Sequence, residues 1–407
     1  MIANMKNDAE STKSIGLMAA IACIVLVATN LRPGIVSIGP VLSQLRNEFH
    51  LTNAQASLLT AIPTLLMGLL AIPTPWLARR YGRNPVILVA LALLGLTTVM
   101  RAFSSSAVLL LLATAGVGAG IAITGALVSG FVKAHHPTRV SLLMGLYAAS
   151  LGLGSTIAAF LTGPVAHLTG SWRAATAMWG IPAIAAIAAW IYVSRIEKAQ
   201  QAVQPAAPPK AHRHPARSSM AWLAALYFAA NNFLFFSVLA WLAPMSVEFG
   251  ASPTSAGLML AGFTTVFMFS NPIPSLLGKG RDRRKAIALF ATAFLTGIFF
   301  LIAAPHAISW LPIGLLGFGM GGSFSLGMML PLDNADDPHE ANSWTSFILA
   351  IGYGLGASGP LALGLLRDAT HNFQTGLWVL AAVGLLKIVL APFLFGERHR
   401  QTHLYRQ

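Results

Sequence analysis

Charged residues are scarce in this chain: Asp, Glu, Lys and Arg together make up 9% of its 407 residues, whereas apolar residues make up 56%. Soluble domains carry about 25% charged residues, so the chain has too little polar surface to face water on all sides. Apolar segments recur from end to end, each long enough to cross a hydrocarbon core roughly 30 Å thick. This pattern excludes a soluble enzyme and predicts an all-α polytopic membrane protein.

Reactive and metal-binding groups are also few. The single cysteine, Cys23, excludes an internal disulfide. The sequence has no metal-ligand cluster and no nucleophile–base arrangement, and its glycine-rich runs are not phosphate loops, because no strand precedes them and no Lys-Ser/Thr follows. We therefore expect no catalytic residue, no metal and no cofactor.

Acidic groups are absent from the apolar segments. All twelve carboxylates fall in predicted loops, termini or span ends. Proton-coupled carriers usually place a titratable carboxylate or histidine inside the membrane. This absence argues against a carboxylate proton relay and leaves facilitated diffusion, anion exchange or protonation carried by the substrate. Asp333, at the inner end of the tenth span, comes closest, and we expect it to be a gate or helix-end residue.

The distribution of the basic residues predicts the orientation of the chain in the membrane. The net charge is +14, but all except six of the 26 Lys and Arg residues fall in the termini and in alternate loops. This asymmetry predicts that both termini are cytoplasmic, so the basic charge does not indicate a nucleic-acid partner. The six exceptions comprise four residues on the opposite side, Arg46, Arg101, Arg173 and Arg367, and two within spans, Arg32 and Lys387.

The apolar runs predict twelve spans in two halves. We expect a first six-helix bundle over residues 1–196, a linker over 197–218 and a second bundle over 219–407. The linker, rich in Ala, Pro and basic residues, is typical of a disordered cytoplasmic segment, so His212 and His214 within it do not indicate a metal site. The predicted spans are 15–39, 54–78, 85–103, 106–131, 140–165, 173–194, 219–246, 253–278, 286–304, 307–331, 342–366 and 374–396.

An internal repeat relates the two halves. Short matches recur at a nearly constant offset of about 200 residues, as duplication requires. Because each half has six spans, both halves begin on the same side, and they form parallel repeats about an axis along the membrane normal. The matches are Glu48-Phe49 with Glu248-Phe249, Gly116–Gly120 with Gly317–Gly321, and Gly152–Ser155 with Gly354–Ala357.

A loop after the second span carries a family resemblance. LARRYGRNPVIL, Leu77–Leu88, resembles the signature loop G-x-L-A-D-R-x-G-R-K of the major facilitator superfamily. The resemblance implies a conformational gate loop formed by Arg80, Gly82 and Arg83 together with the repeat copy at Asp282 and Arg283. Arg79 replaces the motif's Asp, so a conventional latch is not expected, and Asp282 could compensate.

Longer segments of the sequence resemble one particular family within that superfamily. NLRPGIVSIGPVLSQLR, Asn30–Arg46, and GFGMGGSFSLGMMLPLDNA, Gly317–Ala335, are similar to the bacterial cyanate-transporter family, which includes 2-nitroimidazole exporters. The resemblance implies a multi-pass protein of the bacterial inner membrane. In that fold, spans 1, 4, 7 and 10 line a central cavity.

Arg32 is the candidate substrate anchor. It lies within span 1 directly before Pro33 and Gly34, which remove a backbone donor and loosen the helix. A guanidinium stays protonated and offers a planar fork of donors to a small anion. The alternative is a structural clamp that holds carbonyls or a neighbouring helix.

Other polar residues could orient a substrate beside Arg32, and Asn232 occupies the equivalent position in span 7. Each of them could instead form an interhelical hydrogen bond. Lys387 in span 12 is expected to face lipid and to extend its amine to the interface. The remaining substrate-binding candidates are Asn30, Asn231, Thr124, Tyr147, Tyr353, Ser323 and Ser325.

The sequence thus predicts a secondary active or facilitative transporter of a small polar or anionic, cyanate-like compound. Alternating access between the halves is the expected mechanism. The expected partners are the substrate and the lipid bilayer, with no nucleic acid, and the expected state is a monomer. Two alternatives remain: an efflux carrier for small organic toxicants, and a non-transporting membrane sensor or scaffold.

Overall fold

The computed structural model describes residues 16–136, 139–198, 215–276, 283–304, 309–334 and 338–394. These residues are almost entirely helical, and no strand occurs among them. The helices form spans joined by short turns, so that successive spans run in opposite directions.

Three of the six spans of the first half, spans 1, 2 and 6, are broken into shorter helices. Span 1 comprises Leu17–Leu31, Pro33–Val36, the short turn Gly39–Val41 and Leu42–Phe49. The others are Asn53–Leu69 with Thr74–Tyr81 (span 2), Arg83–Met100 (span 3), Ala107–His135 (span 4), Val140–Thr169 (span 5), and Trp172–Ala177 with Met178–Gly180 and Ile181–Lys198 (span 6).

The second half repeats this order. Its spans are Ser219–Glu248 (span 7), Pro253–Ser270 (span 8), Arg284–Ala303 (span 9), Trp310–Asn334 (span 10), Pro338–Gly356 with Ser358–Thr370 (span 11), and Gln374–Leu390 followed by the turn Ala391–Phe393 (span 12).

Length and hydropathy support eleven of the twelve predicted spans. Among the described residues, ten helical segments are long and apolar enough to cross a membrane, and the two helices of span 2, bent by 63°, raise the number to eleven. Span 8, Pro253–Ser270, is the twelfth; it opens with the polar sequence Pro-Thr-Ser and packs along spans 5 and 10.

Local sequence signals set the helix ends. Thr52 and Gln55 form a reciprocal capping box at the start of span 2, and the hydroxyls of Ser106 and Ser218 accept backbone N–H groups at the starts of spans 4 and 7. Gly82, between spans 2 and 3, has a φ of 85°, which favours glycine.

The two halves meet along two helix pairs. Span 2 packs against span 11, and span 5 packs against span 8. The turn Gly39–Val41 of span 1 adds contacts with spans 7 and 8. This arrangement places the middle of spans 1 and 7 between the halves, where a central site can form.

The end of span 6 differs from the predicted linker. Glu197 and Lys198 continue the helix Ile181–Lys198, and Glu197 is buried, with 4% of its surface exposed. A carboxylate cannot be buried in this way without partners, and Glu197 has them at the ends of spans 3 and 4. His212 and His214 lie outside the described residues.

Candidate functional site

Span 1 breaks at the predicted position. Helix Leu17–Leu31 ends at Arg32, and Pro33 begins a separate four-residue helix. Pro33 has no N–H to donate to the carbonyl of Thr29, four residues earlier. Gly154 of span 5 packs directly on that carbonyl oxygen and leaves no room for a side chain. The break is therefore built into the contact between spans 1 and 5.

A second arginine holds the other side of the break. Arg101, at the end of span 3, is fully buried and donates a hydrogen bond from Nη1 to the carbonyl oxygen of Gly34. Its Nε and Nη2 have no hydrogen-bond partner. Sequence reasoning treated Arg101 only as a charge on the far side of the membrane. The signal that could have found it is the Pro33-Gly34 sequence, because backbone carbonyls at a helix break lose their helical partners and need another donor.

Arg32 itself points between the halves. Only 6% of its surface is exposed. Its guanidinium carbon lies 5.7 Å from the ring centroid of Phe235 and 5.8 Å from that of Phe236, both on span 7, within the range of a cation–π interaction. It also hydrogen-bonds the hydroxyl of Tyr353 on span 11. The Nη1 atom of Arg32 has no partner.

Tyr147 and Thr124, two further residues predicted to bind substrate, also lie in this region. Tyr147 of span 5 is close enough to Arg32 and Tyr353 to interact electrostatically with both. Its hydroxyl lies against Gly125 of span 4, 3.2 Å from where a Cβ would be. The neighbouring Thr124 is fully buried, and its Oγ1 has no partner. The site therefore combines spans 1, 4 and 5 of the first half with spans 7 and 11 of the second.

The charge of Arg32 is not neutralised by the protein. Within the described part of the chain, the ion pairs involve Arg83, Arg173, Arg283 and Arg367, not Arg32. A buried guanidinium without a carboxylate is costly, and the cost falls when a charged partner binds. The arrangement can therefore bind a small anion, with a free N–H group for hydrogen bonding and aromatic rings as walls.

The amides at the middle of spans 1 and 7 are buried but do not contact Arg32 through any resolved hydrogen bond. Asn232 donates from Nδ2 to the carbonyl of Phe228 in its own helix at 3.0 Å, and its Cβ packs on Gly356 of span 11. Asn30 is 3% exposed, and its Nδ2 has no partner. Ser325 on span 10 is partly exposed.

The position of Lys387 differs from the prediction that it faces lipid. The predicted lipid-facing lysine is fully buried, and its Nζ donates to Oδ1 of Asn231 at 2.8 Å. The Nζ also lies 5.5 Å from the ring centroid of Tyr227, whose hydroxyl donates to the carbonyl of Ser323. The prediction was wrong because span 12 packs against spans 7 and 9 on the side that carries Lys387. Asn231 and Ser323 thus contact the groups around Lys387 and make no hydrogen bond to Arg32.

The signature-like loop lies at the cytoplasmic end of the first half. Arg80 is exposed. Arg83 forms an ion pair with Glu197 of span 6, and Asn84 donates to the same carboxylate at 2.8 Å. Arg83 also lies over the ring of Phe131 on span 4 at 5.3 Å. These contacts tie spans 3, 4 and 6 together.

The repeat copy of this loop makes a similar tie. Arg283 pairs with Asp333 of span 10 at 3.0 Å, so Asp333 is a helix-end ion-pair partner, as expected. Asp282 lies outside the described residues. In the first half, burial and the neighbouring His135 and Arg139 hold the pKa of His136 below its ordinary value.

At the opposite end, a contact joins the two halves. The carboxylate of Asp368 on span 11 accepts the backbone N–H groups of Asn53 and Ala54 at 2.9 and 2.7 Å, and Nδ2 of Asn53 at 2.7 Å. The negative charge thus caps the N-terminus of span 2, where the helix dipole favours it. This contact holds the extracytoplasmic ends of the two halves together.

Comparison with known proteins gives a consistent result. The Major Facilitator Superfamily profile matches residues 17–357. The cyanate transport protein CynX of Escherichia coli K12 is 31% identical, with 92% of this chain and 97% of that protein covered. The 2-nitroimidazole transporter of the same organism is 30% identical (91% and 93% covered), and the nitrite extrusion protein of Bacillus subtilis is 26% identical (91% and 93% covered).

Solved structures show the same fold. A bacterial homologue of the human lysosomal transporter Spinster, in an inward-facing and occupied conformation, superposes with a TM-score of 0.70 at 16% identity, with 92% of this chain and 95% of that chain covered. The predicted fold and family are therefore confirmed. The chain belongs to the Major Facilitator Superfamily, in the same family as the cyanate transport protein and the 2-nitroimidazole transporter, and it is a membrane transporter rather than an enzyme.

Proposed function

We propose that this transporter moves a small, cyanate-like anion across the bacterial inner membrane by alternating access, with Arg32 as the binding group. The observation that carries the proposal is the Arg32 guanidinium, which is 6% exposed, contacts rings and a hydroxyl, and keeps a free Nη1. A bound anion supplies the missing negative charge and accepts that free N–H group.

The walls of the site favour weakly hydrated substrates. Phe235 and Phe236 provide apolar faces, and Tyr147 and Tyr353 provide hydroxyls from opposite halves. An anion of three or four atoms could contact the guanidinium fork and one hydroxyl together. The relatives named for cyanate and nitrite both concern ions of this kind, which supports the same substrate class here.

The remaining predicted residues have supporting roles in this proposal. Thr124 lines the site beside Tyr147, and Asn30 and Asn232 shape spans 1 and 7. Arg80, Gly82 and Arg83, with Asp282 and Arg283, control the cytoplasmic opening. The two halves, residues 1–198 and 219–407, rock about the site as a monomer in the lipid bilayer, joined by the linker between them.

Transport into proteoliposomes tests the proposal. We expect the wild type to exchange radiolabelled nitrite or cyanate across the membrane, and Arg32→Met to lose at least about tenfold of this activity, since one charged hydrogen bond contributes about 1.5–3 kcal/mol. Arg32→Lys keeps the charge but not the planar fork, and we expect an intermediate rate.

Arg139→Met is the matched control, because it removes an exposed arginine at the cytoplasmic end of the first half. It should transport at the wild-type rate. Normal anion exchange by folded Arg32→Met would refute the role of Arg32, and a wild type that exchanges none of these anions would refute the substrate class.

A second candidate function is efflux of nitroaromatic compounds. The cluster of rings around Arg32, which includes Phe235 and Phe236, suits a flat heterocycle whose nitro oxygens accept from the guanidinium. The 2-nitroimidazole transporter relative supports this candidate. Competition decides between the two: a nitroimidazole substrate should inhibit nitrite exchange in wild type and should itself be extruded, whereas an anion-specific carrier should ignore it.

A further inference from the structure

Lys387 lies where a lysine is difficult to accommodate. Its Nζ reaches Asn231 near the middle of span 7, in the interior of the second half, and no part of the residue is exposed. Within the described residues it forms no ion pair with a carboxylate. Its only resolved hydrogen bond goes to a neutral amide. A purely structural link between spans 7 and 12 could be made by neutral groups at lower desolvation cost.

The partner of Lys387 suits both protonation states. As an ammonium, Nζ donates to Oδ1 of Asn231, as the structure shows. As a neutral amine, Nζ has a lone pair that can accept from Nδ2 of Asn231 after the amide rotates. That Nδ2 atom is buried and has no other partner. A carboxylate would hold the lysine in its charged form, whereas the amide permits a change.

The groups next to Nζ do not fix the protonation state of Lys387, so a more distant charge can change it. Tyr227 on span 7 is the titratable side chain facing Nζ, at 5.5 Å from the ring centroid. The charged groups of the other helices packed against span 12 lie at helix ends: Arg284 and Lys285 at the start of span 9, and Arg367 and Asp368 near the end of span 11. Glu248 ends span 7.

Span 7 links this cluster to the substrate site. Asn231 and Phe235 are four residues apart, one helical turn or about 6 Å along the axis, and the Phe235 ring lies under Arg32. Two positive charges buried in the same protein interior interact through a medium of low dielectric, which screens their repulsion less than water does. When an anion neutralises Arg32, this repulsion decreases, and protonation of Lys387 becomes more favourable.

We propose that Lys387 and Asn231 form a proton-binding site, so that binding of an anion at Arg32 is coupled to uptake of a proton at the Lys387 amine. The step balances: the Nζ lone pair takes one proton from solvent and becomes the ammonium that donates to Asn231. By reciprocity, the proton strengthens anion binding by the same factor. The inference rests on the proposed function, and it identifies the carrier as a proton–anion symporter that uses lysine in place of a carboxylate.

Proton uptake on binding is the direct test. Nitrite is added to purified wild-type protein in weakly buffered detergent solution with a pH-sensitive dye, and its affinity is measured across the near-neutral pH range. We expect uptake of up to about one proton per bound anion, and tighter binding as the pH falls. In proteoliposomes, a proton gradient should drive nitrite accumulation.

Three variants distinguish a loss of proton coupling from a structural defect. Lys387→Met, nearly isosteric and uncharged, should bind and exchange nitrite but take up no proton and show no gradient-driven accumulation. Lys387→Arg stays charged and should also lose proton uptake, because guanidinium does not release its proton. Lys285→Met, the same change at an exposed position, should behave as wild type.

The outcomes are distinguishable. Failure of the wild type to bind or exchange any anion refutes the proposed function. Anion binding without proton uptake in wild type, or proton uptake that persists in folded Lys387→Met or Lys387→Arg, refutes only the proton site. Should both lysine variants fail to fold, the wild-type proton uptake and its dependence on Asn231→Leu still decide.

Discussion

The two halves of this transporter share one close packing contact, in which a glycine of one span lies against a neighbouring span. They differ in the span that the glycine packs against. In the first half, Gly154 of span 5 packs on Thr29 of span 1; in the second, Gly356 of span 11 packs on Asn232 of span 7. The glycines correspond in the repeat. Span 1 is interrupted there by Arg32 and Pro33, however, whereas span 7 continues without a break over Ser219–Glu248.

This difference shows how a duplicated fold becomes asymmetric. The glycine contact survived in both halves because two helices approach closely there. In the first half it covers a backbone oxygen that Pro33 leaves without a donor, and in the second it covers a side chain. The first half thus presents a charged group at the interface, and the second half presents the aromatic rings that face it.

The largest expected effect tests the shared contact. Gly154→Ala adds a Cβ directly against the Thr29 carbonyl, and Gly356→Ala adds one against Asn232. Overpacking of this kind costs about 1–3 kcal/mol, so both variants should unfold at lower temperature in detergent. Gly145→Ala, on the same helix as Gly154 but with open space around it, should be neutral or more stable. Equal stability of all three would contradict the close approach.

The second prediction concerns the break that only the first half has. Arg101→Met removes the donor to the Gly34 carbonyl, and an unsatisfied buried carbonyl costs about 1–3 kcal/mol. Because the segment after Arg32 then loses its restraint, we expect nitrite to bind about tenfold more weakly, with a smaller change in maximal exchange rate. Arg101→Lys should recover part of the affinity. Unchanged affinity in Arg101→Met would show that the break positions Arg32 without this clamp.

The third prediction compares a contact between the halves with one inside a half. Asp368→Asn weakens the cap that joins span 11 to span 2, whereas Glu248→Gln weakens a pair between spans 7 and 11 within the second half. Charged hydrogen bonds contribute about 1.5–3 kcal/mol, so Asp368→Asn should open the extracytoplasmic side.

Distances between two spin labels can measure this opening. Spin labels at exposed Ser105 and Ala304 lie on opposite halves, and Cys23→Ser removes the native thiol. We expect a longer-distance population in Asp368→Asn and the wild-type distribution in Glu248→Gln. The same distribution in both would show that the Asp368 cap does not hold the halves together.

The smallest expected effect concerns two repeat-related carboxylates. Glu48 pairs with Arg173 and Glu248 pairs with Arg367, each near the extracytoplasmic surface and partly exposed. Exposed ion pairs contribute about 0–1 kcal/mol, so Glu48→Gln and Glu248→Gln should each lower the unfolding temperature only slightly and to a similar extent. A large loss for Glu48→Gln alone would indicate that its hydrogen bond from Trp172 stabilises the first half more than the ion pair does.

The sequence predicted most of the fold and part of the site. Apolar runs and the positive-inside asymmetry fixed the spans, because each helix must satisfy its own backbone in lipid. Arg32 followed from its Pro-Gly neighbours, and the structure brings it close to Tyr147 and Tyr353 on spans 5 and 11; its role as substrate anchor stays a prediction. The phenylalanines under Arg32 were missed because rings in an apolar span carry no distinguishing pattern.

Two cations show where sequence reasoning fails. Lys387 was expected at the lipid interface and lies inside the second half; Arg101 was expected at the far surface and holds the helix break. In both cases the residue type and depth were visible in the sequence. The rotation of the helix about its axis was not, because span 12 has no strong polar face that would set it.

The sequence by itself determined that this chain crosses the membrane many times, in two related halves, with one unneutralised arginine at a proline break. It did so because hydropathy, repeat offset and proline chemistry act locally along the chain. Only the tertiary structure decided which groups meet that arginine, which carbonyl Arg101 bonds and which amide Lys387 contacts. Those choices depend on how helices distant in sequence rotate and pack, and small residues such as Gly154 and Gly356 permit the approach.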